Sequence, residues 1–488
     1  MSQKQVKPAR RGIVMTAVFI ATFMTSVEVT IVTTALPSII SALHGLAMQS
    51  WIMSAYLLTT AITTPIYGKL ADAWGRRRIF QWGVVVFTVG SFLSGLAPSI
   101  SWLIAARGIQ GIGAGAVMPL TFTIIADYYD FSERAKVLAL NNTAWGLSAL
   151  VGPLIGGFLV DTLSWHWVFF VNVPLGILVA FLIQVGYREK RPASVQLTID
   201  WPGILWLTSG LVTLLLGIQF LLRAPWLAGL LLVIAAVSLV FFGRTEKRQR
   251  DPLIAPTMFA NRTFAIQIAT AMILSGVLIG YQVYFPIWLQ SLYRIGATEA
   301  GFVVTSSSVM WLTSSFFVGP LIARFVPKRI SLVIITVLLL SYASLTLAGL
   351  HFPMWVFYVI AMINGTGMGI VISMNTILSQ HMVPAAMVGS ATSVLTLGRS
   401  LGQTVMTGVY GAVLNLVIRF TRGNIPFAQI NGVISAKGSR VRPTLAMDQV
   451  ILTSLHGVFW VVVIMLAVVW WINWRDPLHT VIDQNQAH

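Results

Sequence analysis

The sequence contains no cysteine, which excludes disulfides, thiolate metal sites and cysteine nucleophiles. Charge is almost as scarce. Only 9% of the 488 residues are Asp, Glu, Lys or Arg, against about 25% in a soluble globular chain. A chain so short of charge cannot cover a water-facing surface, so its outer solvent is lipid. The alternation of polar and apolar residues that marks a membrane barrel is missing too, which leaves helices. Acids are the rarest charges, 14 against 31 Lys and Arg, for a net charge of +17. In a soluble protein that imbalance would point to nucleic acid. Here the basic residues sit in short clusters between apolar runs, where they hold loops in the cytoplasm, and no nucleic-acid partner is expected. The 7 histidines show no metal-ligand spacing, and no metal is expected.

What the chain has in abundance is continuous apolar sequence, with 57% hydrophobic residues and a mean hydropathy of +0.83. The first run follows the basic stretch Lys4 to Arg11 and imitates a signal peptide, but it continues to Ile40 and reads as a span. Runs of about 20 residues, the length of a membrane crossing, recur near 13–38, 50–71, 79–97, 101–127, 135–160, 166–186, 201–222, 226–243, 264–290, 300–323, 330–349, 354–379, 387–416 and 451–474. The expected fold class is therefore an all-α polytopic membrane protein with fourteen transmembrane helices. An even number puts both termini on one side. Segments on the side of the termini hold 22 Lys and Arg and the opposite loops hold 7, so both termini are expected in the cytoplasm. The 417–450 stretch is the one long outer loop and reads as a lid or connector.

A weak echo runs through the chain. Gly68 to Arg78 follows the second run, and Gly319 to Phe325 with Lys328-Arg329 follows the tenth. Two six-helix bundles, 1–190 and 261–488, with a two-helix insertion at 191–260, fit this echo. Repeated halves around a midplane site are a transporter device.

Glu28 is the one acid placed deep in a span, and such an acid is a functional hypothesis by default. A low dielectric favours the neutral carboxyl, which suits a group that binds a proton and a cation in turn. Arg107 lies at similar depth in the fourth run and is its natural partner; Arg399, in the thirteenth, is the second buried cation. Gly108, Gly111, Gly113 and Gly115 resemble a nucleotide loop in spacing only, since no strand precedes them; they read as close helix packing. Gly152, Pro153, Gly156 and Gly157 combine a helix bend with small residues and read as a moving gate element. Asp72 stands where it can cap the third span, and Asp127 where it can pair with Arg76, together holding an inner gate closed. Tyr56, Trp145, Tyr281, Tyr284, Trp288, Trp311 and Phe316, with Arg399, are candidate cavity residues. Asp161 and Glu299 fall at the outer mouth as alternative proton carriers.

Taken together, these motifs resemble the major facilitator superfamily, and within it the fourteen-span drug:proton antiporters of the EmrB/QacA type. Gly68–Arg78 matches the superfamily's inner-loop motif, Arg107–Gly115 its fourth-span motif and Gly146–Gly157 its antiporter motif. Glu28 through Ala35-Leu36-Pro37-Ser38-Ile39 looks like the first-span signature, with Glu for the more usual Asp. Ile199-Asp200-Trp201-Pro202-Gly203, Asp251-Pro252-Leu253-Ile254, Asn261-Arg262-Thr263-Phe264 and Gly398-Arg399-Ser400-Leu401-Gly402 fit the same branch. The resemblance implies proton and substrate coupling at Glu28, a partner role for Arg107, and an inner gate at Asp72, Arg76 and Asp127. It implies no cofactor, the proton being the coupling ion, and a monomer in a bacterial inner membrane handling small lipophilic substrates. Residues 300–323 lack the acid that dication exporters carry there, so neutral or monocationic substrates are expected. A dedicated exporter of a metabolite, peptide or lipid is the rival of the same class. A channel and a membrane enzyme are the rivals of other classes, and neither a filter motif nor a nucleophile–base set supports them.

Overall fold

The computed structural model describes residues 8–43, 45, 48–129, 131–187, 200–221, 224–249, 256–383, 388–434 and 443–478, and among these there is no strand. Backbone groups in hydrocarbon must pair within their own segment, and the apolar runs accordingly form helices. In chain order these are α1 (Pro8–Leu43), α2 (Gln49–Trp74), α3 (Arg76–Gly95), α4 (Ile100–Tyr128), α5 (Phe131–Thr162), the single turn α6 (Trp167–Phe170) and α7 (Asn172–Gly186). Next come α8 (Trp201–Phe220), α9 (Pro225–Glu246), α10 (Arg262–Leu292), α11 (Ala297–Ser315), α12 (Val318–Arg324) and α13 (Pro327–Thr346). The last are α14 (Met354–His381), α15 (Val388–Thr421), the short α16 (Phe427–Ile434) and α17 (Leu445–Trp474). Side-chain oxygens of Ser99, Asp200, Asn261 and Thr444 accept from the third following backbone N–H and open α4, α8, α10 and α17.

Among the described residues, 11 helices are long and apolar enough to cross a bilayer, and α11 with α12, bent by 52° at their junction, makes a twelfth as one broken span. The sequence runs predict more. The difference lies in α2 and α3, of 26 and 20 residues, which fall outside that count. Composition is the reason: α3 opens on Arg76-Arg77-Arg78, and α2 carries Thr59, Thr60, Thr63 and Thr64 where other runs carry Leu or Val. Outward faces are apolar, as lipid requires: Trp226, Leu205, Ile177 and Phe181 are all exposed.

Helix pairing repeats along the chain. α1 packs on α5 and α7, α2 and α3 pack on α4, and α3 packs on α7. In the same pattern α10 packs on α15 and α17, α11 and α13 pack on α14, and α13 packs on α17. The two sets meet where α5 lies along α11, α2 along α15 and α1 along α10. The α8–α9 pair leans on α2 and α15, and α16 rests against α1, α10 and α17.

Small residues let the α5–α11 joint close. A Cβ on Gly301 would stand 2.6 Å from the Pro153 carbonyl oxygen, and one on Gly157 would stand 2.7 Å from that of Ala297. Polar contacts cross the same joint. Thr298 donates to Asp161 Oδ2 from its backbone N at 2.9 Å and its Oγ1 at 2.6 Å, and Thr305 Oγ1 donates to Leu150 O at 3.1 Å. Gln290 Nε2 donates to Thr34 O at 3.2 Å between α10 and α1. All these contacts lie in the halves of α1 and α5 remote from their N-terminal ends.

Candidate functional site

Five helices converge on one buried polar cluster. Glu28 comes from α1, Arg107 and Gln110 from successive turns of α4, Asn172 from the first position of α7, Ser91 from α3 and Tyr56 from α2. Glu28, Arg107, Gln110, Asn172 and Ser91 are all 0% exposed. Arg107 Nη1 forms a short ion pair with Glu28 Oε1 and also donates to Gln110 Oε1 at 2.8 Å. Asn172 Nδ2 donates to the other carboxylate oxygen of Glu28 at 2.5 Å. Arg107 Nε donates to Ile52 O at 3.1 Å, and the guanidinium lies over the Tyr56 ring, 4.3 Å from its centroid. Ser91 Oγ gathers the amides, accepting from Gln110 Nε2 at 3.1 Å and Asn172 Nδ2 at 3.3 Å while donating to Phe169 O at 2.9 Å.

An isolated ion at this depth would be very costly, so the carboxylate and guanidinium are stable there only as a hydrogen-bonded pair. The surrounding neutral amides satisfy most of what remains. Arg107 Nη2 and Asn172 Oδ1 are buried without a partner among the described residues, which leaves the cluster one spare donor and one spare acceptor. A proton arriving on Glu28 would neutralise the carboxylate alone, leaving the guanidinium charged and free for another acceptor. A cation would compete with Arg107 for the same carboxylate. One buried charge pair can therefore register either event.

The other predicted residues lie elsewhere. The side chains of Asp72 and Asp127 are outside the described set; Arg76 Nη1 reaches Thr123 O on α4 at 3.4 Å. Gly152 faces Thr30 of α1, a Cβ on Gly156 would stand 2.7 Å from Ile31 O, and Pro153 touches Gly301, so this motif lines the joint of α5 with α1 and α11. Tyr281 and Trp288 join an aromatic cluster with Phe285, Phe357 and Phe459 inside the second set of helices, and Tyr284 packs against Tyr410. Trp145 and Phe316 are exposed and Trp311 is half-buried. Arg399 Nη2 donates to Ile372 O at 3.0 Å and Thr376 Oγ1 at 2.7 Å on α14. Glu299 is exposed on the first turn of α11. Of the predicted set, the structure brings together Glu28, Arg107 and Tyr56.

Sequence reasoning missed Gln110, Asn172 and Ser91. The signal existed: Asn172 is an amide within an apolar run, and Gln110 is one turn from Arg107. It also missed a repeat. Gln110-Gly111-Ile112-Gly113-Ala114-Gly115 on α4 recurs as Asn364-Gly365-Thr366-Gly367-Met368-Gly369 on α14. Both amides are hydrogen-bonded to neighbouring helices, though with different partners: Gln110 donates to Ser91 of α3, whereas Asn364 accepts from Tyr342 of α13 at 2.7 Å and donates to Ser307 Oγ of α11 at 3.1 Å. The second centre is neutral: Ala361 stands three residues before Asn364, where Arg107 precedes Gln110.

Residues 18–407 match the Major Facilitator Superfamily. The chain belongs to that superfamily. It is similar to the multidrug transporter protein MdtP of Bacillus subtilis, 32% identical over 416 residues that cover 84% of this chain and 77% of that one. It is also similar to the multidrug efflux pump SdrM of Staphylococcus aureus, 27% identical over 420 residues, 83% of this chain and 93% of the other. Among solved structures, a bacterial homolog of the human lysosomal transporter Spinster aligns over 96% of this chain and 97% of its own, with a TM-score of 0.67 at 18% identity. A D-xylose-proton symporter aligns over 97% and 98% with a TM-score of 0.66 at 12% identity, and these two structures speak to the fold alone. The protein is an all-helical membrane transporter of this superfamily and not an enzyme.

Proposed function

We propose that this transporter is a proton-coupled antiporter that exports lipophilic neutral or monocationic compounds by alternating access. The buried Glu28–Arg107 pair carries the reading: one titratable carboxylate, at the junction of five helices, whose charge state the rest of the cluster must answer. Multidrug relatives at about 30% identity support the substrate class. The neutral centre around Asn364 agrees with coupling confined to one half. In this reading α2 and α3 also cross the membrane, making fourteen spans. Residues 1–190 and 261–488 are two bundles that rock about the α5–α11 and α2–α15 joints, and 191–260 is an insertion at their side. Asp72, Arg76 and Asp127 form the inner gate, and Gly152, Pro153, Gly156 and Gly157 form the hinge surface. The protein works without a cofactor, as a monomer in a bacterial cell membrane with both termini in the cytoplasm.

Transport tests the reading directly. Inverted vesicles containing the protein should accumulate a lipophilic monocationic dye when the lumen is acid, and lose that accumulation when a protonophore collapses the gradient. Accumulation that persists without a gradient would sink proton coupling. Topology gives a separate check. Tags at both termini should be accessible from the cytoplasmic side, and a tag at Gly432 from outside only, because Lys and Arg are concentrated 22 to 7 on the terminal side. A Gly432 tag shielded from outside would contradict the fourteen-span arrangement.

A further inference from the structure

Arg399 differs from Arg107 in one respect that matters: it has no counter-charge. Neither α14 nor α15 contains an Asp or Glu, and no described carboxylate lies within ion-pair distance of it. It sits eleven residues beyond Val388, the first residue of α15, or about 16 Å along the helix. Its Nη2 is spent on two neutral acceptors of α14, the carbonyl of Ile372 at 3.0 Å and the hydroxyl of Thr376 at 2.7 Å. Its Nε is buried with no partner, and its Nη1 makes no hydrogen bond among the described residues. Asn375, on the same stretch of α14, is 0% exposed with neither amide atom partnered.

These observations argue against a snorkelling side chain. A snorkelling arginine runs along its own helix toward water, whereas this one is tied across to a neighbouring helix by two hydrogen bonds. Two neutral acceptors fix a guanidinium without neutralising it. The result is a positioned fork with its charge and its remaining donors unspent, and planar donors of that kind match the oxygens of carboxylate and phosphate groups. Arg399 is half-buried, with its Nε enclosed and unpartnered, and a bound anion would offset a charge that its two neutral acceptors do not.

We propose that Arg399 is an anion site that receives the carboxylate or phosphate group of an amphiphile, either a transported compound or a membrane lipid. Thr376 and the Ile372 carbonyl are its positioning groups, and the Asn375 amide is available to a second polar group of the ligand. The site is independent of the Glu28 cluster and extends the accepted chemistry to lipophilic anions and zwitterions.

The test is equilibrium binding without any gradient, so that a failure of proton coupling leaves it untouched. Full-length wild type, Arg399→Gln and Arg399→Lys are placed in phosphatidylcholine nanodiscs and titrated with 9-anthracenecarboxylate and its methyl ester. The Gln variant should bind the carboxylate roughly tenfold or more weakly, as loss of a charged hydrogen bond implies, with the ester unchanged and the Lys variant in between. A second arm uses nanodiscs with equal phosphatidylcholine and phosphatidylglycerol, with lipid retained through native mass spectrometry as the readout. Retention of phosphatidylglycerol by wild type and its loss in the Gln variant would identify a lipid phosphate as the occupant. Carboxylate binding that phosphatidylglycerol does not disturb would identify a free amphiphile. Equal carboxylate affinity and equal lipid retention in wild type and the Gln variant, or neither ligand bound by wild type, would overturn the proposal.

Discussion

Glu28→Gln should abolish proton-driven accumulation while leaving a folded protein that still binds neutral substrate. Gln keeps the size and hydrogen-bonding capacity of a protonated Glu but cannot release a proton. In the structure the two carboxylate oxygens face Arg107 and Asn172; a Gln carbonyl can still accept from Arg107, and its NH2 can donate to the unpartnered Asn172 Oδ1 if that amide turns over, so the cluster takes the charge it has when Glu28 is protonated. The variant is therefore held in one charge state of the cycle. Gradient-driven uptake into inverted vesicles should fall to the level of protein-free vesicles, with neutral-dye binding in detergent within a few-fold of wild type. Glu28→Asp should retain part of the activity, because it keeps the titration and shifts the carboxylate by one methylene. Wild-type uptake by the Gln variant would move the proton elsewhere, to Asp161 or Glu299 first. Asp161 is already engaged by Thr298, and Glu299 is exposed, so neither is buried as Glu28 is.

Arg107→Gln should damage the fold as well as the coupling. It removes the one cation that pairs with Glu28 among the described residues and leaves that carboxylate buried without compensation, a loss of about 3–5 kcal/mol for a broken buried pair unless the carboxyl keeps its proton throughout. Either outcome stops coupling. The single variant should melt well below wild type in a tryptophan-fluorescence scan, and its uptake should be lost. The double variant Glu28→Gln with Arg107→Gln should recover much of the thermal stability, since no unpaired charge remains, yet stay inactive in uptake. Recovery of stability without recovery of transport separates the pair's structural role from its coupling role. A single variant with wild-type uptake would show that the pair is only structural.

How far the sequence led depended on what each residue has to do. Glu28 and Arg107 were legible because a charge inside an apolar run has few explanations. Gln110, Asn172 and Ser91 were not, because a lone amide or hydroxyl in a membrane helix is commonplace and only its neighbours give it meaning. The aromatic candidates show the limit most plainly. Tyr56 and Trp288 look alike in a sequence, yet Tyr56 backs the guanidinium and Trp288 packs among Phe357 and Phe459. Which face of a helix meets which neighbour is set by pairing, and an all-round apolar helix carries no periodicity that would reveal it. The span count ran into composition: the threonines of α2 and the arginines of α3 lower hydropathy without shortening the helices. Conversely, the repeat of Gln110-Gly-x-Gly-x-Gly as Asn364-Gly-x-Gly-x-Gly was present in the letters and needed only a comparison of the two halves.

The central claim is that Glu28 carries the coupling proton and that substrate cations compete for it. Its most direct test is proton release on binding. Purified wild type in weakly buffered detergent solution, at a series of pH values that spans the protonation of Glu28, is mixed with a lipophilic monocation, and the pH change is followed with an indicator dye. A stoichiometric release of protons should accompany binding by wild type, vanish in Glu28→Gln, and remain in Arg399→Gln, which leaves the Glu28 cluster intact. Equal proton release by wild type and Glu28→Gln would contradict the account.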